Sequence, residues 1–437
     1  MSKFSIARIS LMLAAIGLNA VPALMTGAHA QDAKPAAAAP AAQTVRPEMY
    51  KLVETNLIKD LLAKKDYAQV ESRLKQAEAL GNLNPFEALV INRMKIALGS
   101  ATRNEAMTRQ GLEAVIATGT LQPAEEADFQ LVLGNQDYTT KNYAKSIERY
   151  KRYMQLSPTP EKGRSMLVRS YYLNNDFESA RKELLATVQE SEKSGKAIEE
   201  EDLKLLYSSA AKLKDWPTYT GALEKLVLIA PNDDYWTDLL SRGIVGKKTF
   251  SDRLRLDFYR LEDTALKVLA PEEYTEMAEL ALIGGFPTEA KNVVDEGFAA
   301  GVLGTGSNTG KHKQLRDKAN KNAAEDAKTI GNGEASAAKM KNGVGLVNLG
   351  YAYVTMGQFD KGIGFIEQGI AKGGVKLDEA KLKLGTAYAK AGRKDDAIKT
   401  FESLKGDDGV SDLAKYWVLL LKSPTSAQVA APKTAAN

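Results

Sequence analysis

Residues 349–366 read LGYAYVTMGQFDKGIGFI, and residues 384–401, thirty-five positions later, read LGTAYAKAGRKDDAIKTF. Both stretches share a leucine-glycine pair, a tyrosine, a second glycine, a small residue and a bulky apolar residue at matching places. A glycine inside a helix lets another backbone approach closely, and a glycine after a helix adopts the left-handed cap at little cost. The pattern therefore predicts two successive pairs of antiparallel helices that pack on each other.

The same spacing recurs in the middle of the chain. Of six positions, all but the last keep an apolar or small residue after a shift of 34: Leu133, Gly134, Tyr143, Ser146, Tyr150 and Pro158 become Leu167, Val168, Phe177, Ala180, Leu184 and Glu192. A 34-residue unit made of two helices is typical of the tetratricopeptide repeat. On these residues the chain resembles the tetratricopeptide-repeat family.

The resemblance implies an all-α fold, a right-handed superhelix of stacked helix pairs with flexible tails at both ends. It also implies that partners bind on the concave face, which the first helix of each pair lines. The candidate partner-binding residues that the match would place there are Asn135, Tyr138, Arg169, Tyr172, Tyr351 and Lys390. One subgroup of the family clamps a C-terminal carboxylate with Lys, Asn and Arg. Only Asn135 and Arg169 correspond to that set, so we do not expect this activity.

The repeats differ in clarity along the chain. Degenerate repeats are predicted over residues 47–300, and two clear repeats with a closing helix that carries Trp417 are predicted over residues 344–422. Residues 301–343 are rich in Gly and Lys and break the rhythm. We interpret them as an insertion or an atypical helix pair, with one helix from about Lys313 to Ile330.

The first thirty residues are typical of a secretory signal. A basic start, an apolar run and small residues at Ala28 and Ala30 predict cleavage near Ala30-Gln31. The mature chain is then expected to be periplasmic or secreted, with no transmembrane span because no later stretch supplies about 20 apolar residues.

The segments at the two ends of the mature chain are predicted to be disordered. Residues 31–46 form an Ala/Pro-rich linker, and residues 423–437 have a similar Ser/Pro/Ala character. Such compositions offer too little apolar surface to form a core.

Composition excludes several classes of function. The chain has 59 Lys and Arg against 55 Asp and Glu, which argues against a nucleic-acid partner. It has no cysteine, and of its two histidines only His312 lies beyond the signal, in a basic segment where we expect it to be solvated. Gly304–His312 resembles a phosphate-binding loop, but His312 replaces the required hydroxyl residue. We therefore predict a chain that is not an enzyme and needs no cofactor or metal.

The function predicted from this is a protein-protein interaction scaffold of the bacterial cell envelope. The layout and the stretch LALIGGFP at residues 280–287 also resemble helper proteins encoded beside TonB energy-transduction systems, over the C-terminal third. That resemblance implies a role in outer-membrane uptake. The alternatives are a solenoid that holds envelope polysaccharide or assists its export, and an enzyme, against which the missing His and Cys chemistry counts.

Overall fold

The computed structural model describes residues 44–425, and within this range all regular structure is helical. This confirms the all-α prediction. The predicted signal, most of the linker and most of the C-terminal tail lie outside the described residues. In residues 44–425, no helix combines the length and apolar character needed to cross a bilayer. The chain divides into two compact units, unit 1 (Met1–Glu183) and unit 2 (Leu184–Asn437).

The described part of unit 1, residues 44–183, contains eight helices and the beginning of a ninth. They are α1 (Pro47–Val53), α2 (Thr55–Ala63), α3 (Tyr67–Ala79), α4 (Pro85–Thr102), α5 (Glu105–Ala117), α6 (Pro123–Thr139), α7 (Tyr143–Leu156), α8 (Glu161–Leu173) and α9 (Phe177–Ser194). Helix α4 packs on α5, and α6 packs on α7, as the sequence pattern predicts for the two helices of a pair.

Local sequence determines where α4 begins. The Asn84 side chain accepts a hydrogen bond from the Glu87 N–H at 2.9 Å, and the Glu87 carboxylate accepts one from the Asn84 N–H at 3.1 Å. This reciprocal cap satisfies amides that the first helical turn leaves unpaired. Arg46 adds two side-chain bonds to Glu87, at 2.7 and 2.9 Å. The bonds from Arg46 lower the pKa of Glu87 to about 2, although burial acts in the opposite direction.

A residue with left-handed backbone geometry separates the two helices of a pair. Lys141 and Asn175 lie one repeat apart, and both have a φ of 60°. The N–H of Asn142, the next residue, donates to the carbonyl of Asp137 at 2.7 Å and closes the turn. The equivalent bond closes the turn after Asn175. The sharp reversal between helices is therefore the same in successive repeats.

The predicted repeat is visible in the packing of α7 between α6 and α8. A Cβ atom on Gly134 would lie 3.0 Å from the ring of Tyr150, so the glycine allows the ring to sit against the α6 backbone. The Ser146 hydroxyl donates to the Gly134 carbonyl at 3.0 Å and lies 3.1 Å from the hydroxyl of Ser170 in α8. Small residues thus set the distance between the helices.

Up to residue 425, where the description ends, unit 2 contains the remainder of α9 and thirteen further α-helices. They are α10 (Glu200–Leu213), α11 (Trp216–Ile229), α12 (Asp233–Leu240), α13 (Arg255–Ala265), α14 (Pro271–Ile283), α15 (Pro287–Ala299), α16 (Thr309–Thr329), α17 (Gly333–Lys339), α18 (Val344–Thr355), α19 (Phe359–Lys372), α20 (Leu377–Lys390), α21 (Lys394–Glu402) and α22 (Val410–Lys422). A five-residue π-helical turn, Ser241–Val245, follows α12 directly.

The two clear repeats are α18–α19 and α20–α21. Gly350 and Gly362 face each other where α18 crosses α19, and a Cβ on either would lie 2.5 Å from the carbonyl oxygen of the other. In the next pair, a Cβ on Gly385 would lie 2.5 Å from the ring of Phe401. The leucine-glycine pairs of the opening sequence therefore mark helix crossings, as predicted.

The last helix, α22, closes unit 2. Trp417 is fully buried, and its ring stacks on that of Phe401 at 5.6 Å. The same helix also packs against α11 and α13, and Lys415 forms an ion pair with Glu224 of α11 at 2.5 Å. The helix predicted to cap the last repeat thus also contacts the helices at the beginning of the unit.

Residues 301–343 are largely helical. The helix predicted from Lys313 to Ile330 is present as α16, which begins earlier, at Thr309. The expectation of a solvated His312 is wrong, because this residue lies in the first turn of α16 and is buried. Its Nδ1 accepts a hydrogen bond from the N–H of Gly304 at 3.1 Å, which ties the preceding loop to the helix.

Candidate partner-binding surface

Four of the six predicted binding residues lie on α6 and α8, the first helices of two successive pairs in unit 1. Asn135 and Arg169 occupy equivalent places one repeat apart, and so do Tyr138 and Tyr172. Asn135 is exposed and the other three are half-buried. We call these four residues, together with Leu173, the α6–α8 surface.

The two tyrosines are held by the helices that follow them. The ring of Tyr138 meets that of Tyr143 edge to face at 5.7 Å, and the ring of Tyr172 meets that of Phe177 at 5.3 Å. Such contacts fix the ring orientation and leave part of each ring accessible. A rigid, half-exposed aromatic loses little conformational freedom on binding, so it is well suited to contact a partner.

The polar members of the surface also have defined geometry. The Tyr150 hydroxyl donates to Oδ1 of Asn135 at 2.6 Å, which leaves the exposed amide nitrogen as a donor. The Nε atom of Arg169 is buried and has no hydrogen-bond partner in the structure. A buried donor without a partner is costly.

Leu173 was not among the residues predicted from the sequence. It follows Tyr172, lies one helical turn after Arg169, and remains 42 % exposed. A leucine at the end of an amphipathic helix is usually assigned to the core, which is why the pattern did not single it out. Its equivalent one repeat earlier, Thr139, is polar, and this difference is the feature of the sequence that indicates an exposed position.

Tyr351 does not belong to an exposed surface. It occupies the same place in α18 as Asn135 in α6, but it is fully buried. The guanidinium of Arg260 lies 4.2 Å from its ring centroid, and the ring of Phe286 meets it edge to face at 5.3 Å. In unit 2 an arginine from α13 therefore covers the position that a partner would need. Lys390, the last residue of α20, is half-buried.

Arg260 forms a buried cluster of charge in unit 2 with two carboxylates. The guanidinium forms two bonds to Glu289, at 2.8 and 2.6 Å, and a third to Asp257 at 2.6 Å. Both carboxylates are thus committed to ion pairs: Asp257 pairs with Arg260 within α13, and Glu289 joins α13 to α15. This geometry is that of a structural cluster, because a general acid or base needs a carboxylate that substrate can reach.

Glu262 is another buried carboxylate of α13. Desolvation by burial raises its pKa to about 8, with further contributions from Glu273 and Asp263. Its Oε2 has no hydrogen-bond partner in the structure. In residues 44–425, no group of His, Cys, Asp and Glu side chains is arranged to hold a metal ion.

Comparison with known proteins supports the repeat assignment. A sequence profile of the family described as "Tetratricopeptide repeat" matches residues 379–407, which span α20 and α21. No curated protein matches the chain. Among solved structures, the chain is similar to one described as "Structure of Naa15/Naa10 bound to HypK-THB", at 11 % identity over 84 % of this chain and 70 % of that chain, with a TM-score of 0.26.

The profile and the helix pairs together show that the chain contains tetratricopeptide-like helical repeats. The similarity to the Naa15 complex is too distant in TM-score to carry an argument about function. Helical-repeat proteins of this kind are typically non-catalytic scaffolds that bind protein partners.

Proposed function

We propose that the chain is a non-enzymatic scaffold that binds an extended segment of another protein on the α6–α8 surface. The observation that carries this proposal is the pair of equivalent tyrosines, each held by an aromatic residue of the following helix and each partly accessible. Repetition at a fixed spacing suits a partner whose own backbone repeats, because successive side chains of an extended peptide can meet successive repeats.

Each residue of the surface has a role in this proposal. Tyr138, Tyr172 and Leu173 contribute apolar area. Asn135 donates from its amide nitrogen to a peptide carbonyl, and Arg169 pairs with a carboxylate or carbonyl of the partner. Aromatic and arginine side chains carry a large share of the affinity in many protein interfaces.

We further propose that the scaffold acts in the bacterial periplasm, where it assists TonB-linked outer-membrane transport. The basic, apolar and small-residue order of residues 1–30 supports export. The stretch at residues 280–287 supports the TonB association only through its resemblance to helper proteins of those systems. Fractionation of cells that produce the full chain, with antibody detection of a processed form, tests the location.

Crosslinking in intact cells followed by mass spectrometry tests the binding function. The native chain should capture a reproducible set of partners, and the double variant Arg169→Ala/Tyr172→Ala should lose at least one of them. Arg152→Ala is the matched control, because Arg152 lies on α7 and pairs with Glu126 at the helix surface. If the double variant captures the same partners as the native chain, the α6–α8 surface is not the binding site.

A further inference from the structure

A cluster of aromatic and cationic side chains lies exposed in unit 2 at the beginning of α11. Trp216 is 42 % exposed and Leu213, at the end of α10, is 37 % exposed, whereas the other two tryptophans, Trp236 and Trp417, are fully buried. Packing of the helices does not require Leu213 and Trp216, three positions apart in sequence, to stay exposed to solvent. Exposed apolar side chains that lie together mark interaction sites.

Trp216 differs from the equivalent aromatic residues of the other repeats in what packs against it. Tyr143 and Phe177, at the same place in unit 1, pack against Tyr138 and Tyr172 of the preceding helix. Three residues before the left-handed turn residue, where those tyrosines stand, the α10–α11 pair has Ala211 instead. The first helix of the α10–α11 pair therefore has no aromatic residue at this place, whereas its second helix begins with a tryptophan.

Trp216 is contacted instead by Arg242, which lies in the π-helical turn after α12. Its guanidinium lies 4.3 Å from the ring centroid of Trp216 and 5.2 Å from that of Tyr219. The Arg242 Nε also lies 3.3 Å from Oδ1 of Asp238, one helical turn earlier. Asp238 in turn accepts a hydrogen bond from the Tyr219 hydroxyl. The arginine is therefore stacked and oriented, while its side chain remains 42 % exposed.

The backbone that presents Arg242 is itself unusual. Arg242 lies in the π-helical turn Ser241–Val245, and such turns are rare and frequently lie at functional sites. The turn is fixed from behind, because Gly243 packs on the Tyr416 hydroxyl of α22 so closely that a Cβ would lie 2.2 Å from it. A rigid backbone thus holds Arg242 over Trp216.

The charges around the cluster favour one kind of partner. Lys212 and Lys214 flank Leu213, and both are exposed and form no ion pair in the described part of the chain. Two carboxylates lie nearby: Asp215 accepts from Thr218 at 2.7 Å, and Asp238 bonds to Arg242 and Tyr219. Three cations therefore stand against two carboxylates, and the excess positive charge comes from the two exposed lysines next to Leu213.

We infer that Leu213, Trp216 and Arg242, with Lys212 and Lys214, form a second docking surface, which binds an acidic protein segment carrying an apolar side chain. A carboxylate of the segment pairs with the exposed edge of the stacked guanidinium, and the apolar side chain lies on Trp216 and Leu213. Arginine and tryptophan are the residue types most enriched at the energetic centres of protein interfaces. Complementary charge adds specificity and speeds association.

The test uses the full chain and a fluorescein-labelled peptide, Gly-Glu-Glu-Leu-Glu-Glu-Leu-amide, with fluorescence anisotropy at low salt. Binding should saturate, and the peptide with Gln in place of every Glu should bind about tenfold more weakly or worse. Rising salt should weaken the acidic complex, since exposed charges are screened. Acrylamide should quench Trp216 less in the complex, because Trp236 and Trp417 are buried and contribute little to the change.

Variants separate the docking surface from the fold. Trp216→Ala and Arg242→Gln should each weaken the acidic peptide about tenfold, which corresponds to about 1.4 kcal/mol. Arg393→Gln is the matched control, because Arg393 also lies over a tyrosine, at 4.4 Å from the Tyr388 ring, and also pairs with a nearby aspartate. Arg393→Gln should bind the acidic peptide with the affinity of the native chain. Arg169→Ala/Tyr172→Ala should also keep that affinity, because these substitutions alter only the α6–α8 surface.

Four results would overturn this inference. They are equal binding of the Glu and Gln peptides, unchanged affinity in Arg242→Gln, absence of saturation up to about 1 mM peptide, and binding of an alginate oligosaccharide to the same surface without binding of the peptide. The last result would identify an acidic glycan as the partner.

Discussion

Replacing Gly362 by alanine tests the packing on which the repeat assignment depends. A Cβ at this position would lie 2.5 Å from the Gly350 carbonyl oxygen and 2.6 Å from a methyl of Val354, against the 3.4–4 Å of ordinary contact. Helices α18 and α19 would have to separate by about 1 Å, and overpacking of this kind costs about 1–3 kcal/mol. The Gly350 carbonyl belongs to the backbone and cannot rotate away as a side chain could. We therefore expect an overpacking cost at the upper end of that range, about 3 kcal/mol.

Alanine also favours the helix over glycine, by about 1 kcal/mol. The net loss expected for Gly362→Ala is therefore about 2 kcal/mol. Gly364 provides a matched control, since it lies in the same helix and a Cβ there would meet nothing within 4 Å. Gly364→Ala should gain up to about 1 kcal/mol. The two substitutions, two residues apart and on opposite faces of the helix, should thus change stability in opposite directions.

Urea denaturation followed by circular dichroism gives the global change, and hydrogen exchange of peptides from α19 gives the local one. Gly362→Ala should exchange faster in α19 and unfold at lower urea, while Gly364→Ala should do neither. Equal shifts of the same sign in both variants would refute the reasoning, because helix propensity alone would then account for the data.

Three further predictions concern buried charge. Glu87→Gln should lose on the order of 2 kcal/mol at pH 7 by linkage. The native pKa of Glu87 lies below its unfolded value, so the difference in unfolding free energy between the variant and the native chain should shrink as pH falls from about 4.5 through about 2. Urea titrations at several pH values measure this difference, and a constant value would contradict the prediction. The raised native pKa of Glu262 makes its charged carboxylate unfavourable, so the native chain should lose stability as pH rises from about 4.5 to about 8. Glu262→Gln should lose less over the same range. Thermal unfolding of both forms at pH 5 and 8 measures the two losses, and equal losses would exclude the effect. Arg260→Leu should cost about 3–5 kcal/mol, because it leaves two buried carboxylates unpaired; a loss below 1 kcal/mol in urea titration would show that water compensates them.

The leucine-glycine pairs at 349–350 and 384–385 predicted both the helix pairs and their crossings, because a glycine required by close approach is visible as a residue type. The turns of unit 1 were harder to recognise. Lys141 and Asn175 adopt the left-handed geometry without being glycine, so the most specific signal of the turn is absent there.

The candidate site was only partly predictable. Asn135 and Arg169 were placed correctly on first helices by their spacing. Tyr351 has the same spacing but is buried under Arg260, more than ninety positions away in sequence, and a periodic pattern carries no information about such a contact. The Trp216–Arg242 stack depends on a π-helical turn, for which the sequence offers no periodic signal.

A photo-crosslinking amino acid placed at single positions in living cells tests the central claim most directly. Leu173 and Glu148 suit the comparison, because both are exposed in unit 1, Leu173 on the first helix of a pair and Glu148 on the second helix of the preceding pair. A discrete crosslinked protein from position 173, and none from position 148, is the predicted result. Crosslinks of equal yield and identity from both positions, or none from position 173, would contradict docking on the α6–α8 surface.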